Sequence, residues 1–112
     1  MREYRVFVSK PAEQDLEDIF FHIATRLLVP ETANDVIDEF YEEMSGLKFM
    51  PKKHPLVDDI FLANLGYRTL PVKNYLIFYS VNESAGDVDI ERILYARRDW
   101  LHIITGQKQI IF

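Results

Sequence analysis

The sequence predicts an α+β fold in which two helices pack against one face of a small, mostly antiparallel β-sheet. Two successive segments in the first half carry apolar residues at helical spacing. Three short segments in the second half are rich in β-branched and aromatic residues and are separated by turn-forming residues. With a short alternating segment at the N-terminus, the predicted order is β-α-α-β-β-β, followed by a short helical turn.

The first strand and the first helix are predicted between Arg2 and Pro30, which ends the helix. Residues 2–8 alternate enough to form a strand, and Ser9 is a suitable N-cap for the helix that follows. Pro11 falls in the first helical turn, where its missing N–H is not needed. The apolar stripe of this helix is formed by Leu16, Ile19, Phe20, Ile23, Ala24 and Leu27.

A second amphipathic helix is predicted after Pro30, beginning at Glu31 and Thr32. The short connection between the two helices indicates an antiparallel hairpin, whose apolar stripes need a sheet to cover them. The apolar positions of this helix are Ala33, Val36, Ile37, Phe40, Met44 and Leu47, and its solvent-facing positions are Asp35, Asp38, Glu39, Glu42 and Glu43.

The second half of the chain is predicted to supply three strands. Residues 51–65 show no sustained period, and we expect them to be irregular. Residues 67–72 read as a strand, in which Pro71 indicates a sheet edge or a bulge. Lys73 and Asn74 form a tight turn into a strand over residues 75–81.

The last strand and a final helical turn complete the predicted fold. Residues 82–87 have a turn composition, and residues 88–96 return as a strand. Residues 100–104 are predicted to form a helical turn that Gly106 ends. Helical stripes and central strand positions together predict a core that includes Phe20, Ile23, Phe40, Phe78, Ile93 and Leu94.

Composition limits the classes of protein that fit this chain. Its 112 residues, 48% of them hydrophobic, are enough for a single domain spanning residues 1–112. The absence of cysteine excludes disulfides and thiolate metal sites. We find no apolar run long enough to span a membrane and no signal-peptide core at the N-terminus, so we expect a cytoplasmic protein with no membrane partner.

The charge is distributed unevenly. The net charge is −5, which argues against broad electrostatic binding to nucleic acid. Residues 1–65 carry 7 Lys or Arg against 13 Asp or Glu, whereas residues 66–112 carry 6 against 5. Any nucleic-acid contact would therefore be a small local site, and the balance favours a protein target.

Candidate binding residues cluster at the end of the last predicted strand. Arg97 and Arg98 stand there beside Asp99 and Trp100, the only tryptophan. Because a guanidinium at a strand end must find a partner, Arg97 grips a phosphate or carboxylate, or else pairs with Asp99 structurally. Arg68, on a neighbouring strand, forms a small cationic cleft if it shares the face of Arg97. Otherwise it is an ordinary solvent-facing arginine.

The remaining polar candidates fit structural roles better than chemical ones. Lys52, Lys53 and His54 form a basic patch that is more often a solvated loop than a substrate contact. His102 lies on the apolar final turn, and His22 lies on the first helix, where packing or exposure explains each of them. The sequence contains no metal-binding or nucleotide-binding motif, so we expect neither a metal nor another cofactor.

Several of these segments, in this order, resemble the RelE/ParE superfamily of bacterial toxins. The strand pair at residues 75–81 and 90–100, read YLIFYSV and IERILYARRDW, is similar to the family's core pair. Residues 4–6 and 15–19 are similar to its first strand and helix, and residues 66–68 to the start of the preceding strand. The resemblance spans residues 4–100 and implies a growth-inhibiting toxin, of a kind linked to plasmid stabilisation, from a type II toxin–antitoxin module.

The resemblance leaves two activities open. The RelE-like branch cleaves mRNA on the ribosome with basic residues, and Arg68 and Arg97 align with two of these as catalytic candidates. Leu70 and Leu76 stand where that branch carries basic residues, and Ile103 where a tyrosine is expected. RNA cleavage needs charge stabilisation and proton transfer, and too few groups remain for both. The resemblance is therefore closer to the ParE-like branch, which inhibits DNA gyrase.

The resemblance also implies a protein partner. Toxins of this superfamily are silenced by a cognate antitoxin, whose C-terminal segment orders on binding to the toxin. The candidate contact regions are the edge beside Pro71, the arginines near Arg97 and the apolar C-terminal residues. A binding module of the same fold that has lost toxicity is the third reading.

Overall fold

A computed structural model describes residues 2–26, 30–97 and 103–104. The elements are β1 (Arg5–Val8), α1 (Lys10–Phe21), α2 (Pro30–Gly46), α3 (Ile60–Asn64), β2 (Arg68–Val72), β3 (Tyr75–Asn82) and β4 (Asp87–Tyr95). The strands form one sheet in the order β1-β4-β3-β2, with β1 parallel to β4 and the other pairs antiparallel. The predicted α+β class and element order are confirmed. No helix of the described residues is long and apolar enough to cross a membrane.

The start of α1 follows the sequence closely. The Ser9 side chain accepts a hydrogen bond from the Ala12 N–H at 3.1 Å, as expected of an N-cap, and Pro11 lies in the first turn. Ser9 also ties the helix to the sheet, because its hydroxyl donates to the Glu91 carbonyl at 2.8 Å and its N–H donates to Ile90 O at 3.0 Å. The residue that begins α1 therefore also fixes its position on β4.

The first helix is shorter than its apolar stripe predicts. α1 ends at Phe21, and His22–Arg26 continue as a π-helical turn, in which the Thr25 hydroxyl donates to the Phe21 carbonyl. A threonine that bonds back to the preceding turn bends or widens a helix. Ile23 stays buried and Ala24 half-buried, whereas Leu27 lies outside the described residues.

The larger core lies between the helices and one face of the sheet. Phe40, Ile77, Tyr79, Val88 and Ile90 are fully buried there, and Phe40 confirms the predicted phase of α2. Of the six predicted core residues, five are buried, but Phe20 is only half-buried, on the outer side of α1. The expectation for Phe20 was wrong because the apolar stripe of α1 is broader than the face that the sheet covers.

A β-bulge keeps the faces of β4 in phase with the core. Ile90 and Ile93 both belong to the larger core although three residues separate them, an odd spacing that would place them on opposite faces of a regular strand. The register shifts between Phe78 and Tyr79, which pair with Arg92 and Ile90, so that Glu91 is an additional residue on β4.

The second face of the sheet is covered by a smaller cluster. Leu62 of α3, Phe78, Leu94, Val57 and Ile104 form it. α3 was not predicted, because residues 51–65 were read as irregular. Asp59 is its N-cap and accepts from the Leu62 N–H at 3.0 Å.

The remaining edges and turns agree with the predictions. β2 is an edge strand, as Pro71 indicated, and Lys73 and Asn74 form the turn to β3 with Lys73 at φ +53°. Ile103 and Ile104 are helical, in the position of the predicted final turn.

Candidate functional site

The predicted site residues do not form a single cleft in the described structure. Arg68 begins β2 opposite Tyr79, whereas Arg97 follows the end of β4, beyond the pair of Tyr95 with Tyr75. Tyr75 and Tyr79 are four residues apart on β3. The position of Arg68 along the strands is therefore separated from the end of β4, which Arg97 follows, by roughly 13 Å. Arg97 is exposed. Arg98, Asp99, Trp100 and His102 lie outside the described residues.

Arg68 anchors a loop. Its Nη1 donates to the His54 carbonyl at 2.7 Å and to the Lys52 carbonyl at 3.3 Å. The Tyr79 hydroxyl donates to the Pro51 carbonyl at 2.6 Å in the same place. Both donors come from the sheet, and three carbonyls of residues 51–54 accept from them. The guanidinium thus holds the loop in place.

Burial shifts the pKa values of two side chains at this anchor, Tyr79 of the sheet and His54 of the loop. Tyr79 is fully buried, and this burial raises the pKa of its phenol to about 12 against the opposing effect of the Arg68 charge. The ring of His54 stands edge-on to Tyr79, with centroids 6.4 Å apart. Burial lowers the pKa of His54, and the neighbouring Lys53 charge lowers it further. Both effects favour the neutral imidazole over the charged form.

The basic patch in the loop is partly neutralised. Lys52 Nζ lies 2.8 Å from Glu83 Oε1, and Glu83 also accepts from the Tyr4 hydroxyl at 3.1 Å. The hydrogen bond from Lys52 lowers the pKa of Glu83. Lys53 is exposed. Lys52 therefore links the loop to the turn between β3 and β4.

A buried ion pair that the sequence analysis did not single out joins α1 to β4. Arg92 Nε and Nη2 donate to the two carboxylate oxygens of Asp15 at 2.7 and 2.8 Å, and the Ile93 N–H also donates to Asp15 at 2.9 Å. Asp15 is 8% exposed. β1 ends at Val8, so this carboxylate takes the place of a neighbouring strand along β4.

One signal for this pair was present in the sequence. Asp15 stands three residues after Ala12 and four before Ile19, which are both buried, so it lies in the apolar stripe of α1. A carboxylate at such a position requires a partner. Nothing local identified Arg92 as that partner, because 77 positions separate the two residues.

A groove of about 700 Å³ opens beside the ion pair. It lies between the helices and the end of the sheet that holds the turn from β2 to β3 and the last residues of β4. Its floor is apolar, with Ile19, Ile23 and Val36 among the lining residues, and Asp18 and Lys73 stand at its rim. Tyr75 and Tyr95 also line it, with ring centroids 5.7 Å apart. The described residues contain no group of three or more His, Cys, Asp or Glu side chains placed to hold a metal.

The family follows from a sequence match over most of the chain. A family model described as the ParE toxin of the type II toxin–antitoxin system, parDE, matches residues 6–100. The chain belongs to the ParE toxin family. It is therefore a ParE/RelE-type toxin of a type II toxin–antitoxin system, which confirms the family predicted from the strand pair and the first helix. No curated protein matches the chain significantly.

Solved structures share the fold of this ParE-family toxin. A chromosomal ParDE system from P. aeruginosa aligns with a TM-score of 0.71 at 19% identity, covering 85% of this chain and 98% of that one. The toxin–antitoxin complex RelBE2 from Mycobacterium tuberculosis aligns at 0.59 with 17% identity, covering 85% and 93%. A double arginine-to-alanine mutant of E. coli RelE in the free state aligns at 0.64 with 9% identity, covering 96% and 99%.

Proposed function

We propose that this toxin stops growth by inhibiting DNA gyrase and does not cleave RNA. The observation that carries the proposal is how its cationic side chains are used. Arg68 is bonded to loop carbonyls, Arg92 to Asp15, and Lys52 to Glu83. A guanidinium or ammonium engaged in this way is not available to stabilise a transition-state phosphate without breaking those contacts.

The positions beside these cations also lack the groups that RNA cleavage requires. Attack by a ribose 2′-OH needs a group that removes its proton and groups that stabilise charge on the phosphate. Leu70 is buried in the larger core, and Leu76 pairs with Pro71 and Leu94. Apolar side chains therefore occupy two positions at which the RelE-like branch places basic residues.

The overall charge supports a protein target. An RNase that works on the ribosome must approach a dense array of phosphates, and a net charge of −5 opposes that approach. Inhibition of gyrase requires contact with a protein surface, for which no excess of positive charge is needed. Because the target acts on the chromosome, we place the toxin in the cytoplasm.

A ribosome-dependent RNase is the alternative, and the exposure of Arg97 favours it. This guanidinium lies beyond the end of β4 in solvent, where a phosphate can reach it. The reaction would then depend on charge stabilisation at Arg97, and Arg68 would contribute only after leaving the carbonyls of Lys52 and His54.

One experiment separates the two activities. Purified toxin is added in parallel to a gyrase supercoiling assay and to ribosomes translating a defined mRNA. We expect supercoiling to stop while the mRNA stays intact. Cleavage of the mRNA by the wild-type toxin, with supercoiling unaffected, would overturn the proposal.

Arginine variants identify the residues responsible. On the RNase alternative, Arg97→Ala lowers mRNA cleavage by at least about 100-fold, as expected when charge stabilisation is lost. Arg5→Ala is the matched control, because this arginine is also exposed and lies beside Asp87, at the opposite end of β4 from Arg97. Since Arg68 also holds the loop, Arg68→Ala needs a thermal unfolding measurement beside its activity.

We also propose a cognate antitoxin as the partner of this toxin. Two of the similar structures are a ParDE system and a RelBE2 toxin–antitoxin complex. The candidate contacts are the edge strand at Pro71, the exposed Arg97 and the apolar C-terminal residues. Co-expression with the small protein encoded beside the toxin should give a soluble complex and relieve growth arrest. A non-toxic chain that does not bind that protein would favour the binding-module reading.

A further inference from the structure

The outer face of the helical hairpin carries an aromatic groove that the sheet does not cover. It has a volume of about 380 Å³ and is lined by Glu13, Leu16, Glu17, Phe20, Phe21, Ile37 and Tyr41. Phe21 is 63% exposed and Tyr41 is 53% exposed, and they come from different helices. Phe20 and Phe21 stand edge to face with ring centroids 6.2 Å apart. Two large aromatic side chains thus border one strip of solvent-facing apolar surface.

The helices that form this groove are strongly acidic. α1 and α2 contain ten Asp or Glu residues and one basic residue, Lys10. Only Asp15 has its charge neutralised by a buried ion pair, and eight of the other nine are exposed. Glu13 and Glu17 line the groove itself, and Asp38 stands one helical turn before Tyr41. The aromatic groove is therefore surrounded by negatively charged side chains.

The geometry points to a basic amphipathic helix of a partner protein as the occupant of this groove. A helix fits between two antiparallel helices because its side-chain ridges enter the space between theirs. α1 and α2 have 12 and 17 residues, or about 18 and 25 Å of length, enough to support three to four turns of a partner. Apolar anchors of the partner contact Phe21 and Tyr41, and its Lys or Arg residues face Glu13 and Glu17.

The same features argue against other occupants. Two copies of this chain meeting at this face would bring two acidic hairpins together, which is electrostatically unfavourable. Nucleic acid and anionic lipid would be repelled for the same reason. The chain's own Ile103 and Ile104 pack against the smaller cluster with Phe78 and Leu94, on the opposite face of the sheet. This surface is distinct from the cationic residues considered above, and its occupancy does not depend on the gyrase proposal.

A designed peptide tests the groove directly. The probe is an 18-residue helix with Leu and Trp at i, i+3, i+4 and i+7 spacing and Lys or Arg elsewhere. It is titrated into the isotope-labelled full chain and followed by NMR. We expect shifts concentrated at Leu16, Phe20 and Ile37. A second peptide with the same apolar stripe but Glu in place of every cation should bind at least about tenfold more weakly, because like charges then face each other.

Matched variants separate the groove from the rest of the surface. Phe21→Ser should weaken peptide binding about tenfold, as expected for loss of an aromatic anchor. Phe61→Ser removes an aromatic ring of similar exposure on α3 and should change binding less than about twofold. Glu17→Lys should weaken binding several-fold at low salt and much less at 0.5 M salt, whereas Asp58→Lys makes the same charge change elsewhere.

Three results would overturn the assignment. Equal losses in Phe21→Ser and Phe61→Ser would show that the peptide binds apolar surface without selectivity. Equal binding of the basic and acidic peptides would remove the electrostatic basis. Shifts that concentrate on β2 or at Arg97 would place the binding surface elsewhere. Circular dichroism of each variant establishes that its helices are intact before affinity is compared.

Discussion

The two faces of the sheet are covered by different kinds of element. The face under α1 and α2 is packed by helical stripes and holds most of the buried residues. The opposite face is covered by α3, a helix of five residues, together with Ile104 and a few loop residues. Ile60 and Phe61 of α3 are 77% and 52% exposed. Long helices thus cover the face with the larger core, and short segments cover the face with the smaller cluster.

The comparison also separates local from distant interactions. The helices that cover the first face are specified by their own spacing and caps, whereas the second face depends on residues brought together from separate parts of the chain. Substitutions on the two faces should therefore have unequal costs, and the predictions below run from the largest expected effect to the smallest.

Truncation of the larger core should have the greatest effect. Phe40→Ala removes a fully buried ring and should lower the free energy of unfolding by about 3–5 kcal/mol. Leu62→Ala, in the smaller cluster, should cost about 2–3 kcal/mol because the short helix can settle into the space. Urea denaturation with matched m-values measures both. Equal costs would show that α3 is as firmly packed as the long helices.

Loss of one partner of the buried ion pair should come next. Asp15→Asn leaves the half-buried Arg92 beside an uncharged amide and should lower the free energy of unfolding by about 3 kcal/mol. The double variant Asp15→Leu with Arg92→Met should recover much of that loss, since an apolar pair replaces two charges. A double variant as unstable as Asp15→Asn would indicate that the bond to the Ile93 N–H matters more than the charges.

The loop anchor should respond to alkaline pH. The pKa of Tyr79 is raised to about 12 from an ordinary value of 10, so the unfolded chain loses this proton first as pH rises. Stability from this group is complete below pH 10 and is lost between about pH 10 and 12, by up to roughly 3 kcal/mol. Tyr79→Phe should cost about 1–2 kcal/mol at neutral pH, through loss of the bond to Pro51, and should flatten the alkaline decline.

His54 should give the smallest effect, at acid pH. Its pKa is lowered in the folded chain, so the unfolded chain binds a proton first as pH falls through 6.5. As pH falls, stability therefore decreases between about pH 6.5 and the pKa of His54 in the folded chain. Below that pKa both states carry the proton, and the contribution of His54 no longer changes with pH. His54→Gln should flatten the decline in unfolding curves measured over this range. A steeper decline in His54→Gln would contradict the sign of the shift.

The predictable parts of this molecule are those that depend on near neighbours. The stripe through Phe40, the cap at Ser9 and the edge position of Pro71 each follow from spacing or from one residue's backbone chemistry. One signal for α3 was present in the sequence, because Asp59, a suitable N-cap, immediately precedes an apolar run. The five residues of this helix are too few to show a helical period.

The less predictable parts depend on distant pairing. The sequence around Arg68 does not distinguish an arginine that binds a ligand from one that bonds to the carbonyls of residues 51–54. Arg92 and Asp15 are 77 positions apart and meet only in the folded chain, and the bulge beside Arg92 has no periodic signature. A cleft between Arg68 and Arg97 was conditional on the two arginines sharing a face, and how near they lie depends on the strand register, which the sequence does not show.

The parallel pairing of β1 with β4 has a consequence for how the toxin is made. Arg5 of the first strand bonds to Asp87, 82 positions later. During synthesis β1 and both long helices leave the ribosome before the central strand exists, and their apolar stripes have no sheet to cover them. Contacts of such long sequence separation form slowly because a large loop must close first. A product that ends before residue 87 lacks β4 and therefore cannot assemble the four-stranded sheet, so the fold forms only after β4 has been made.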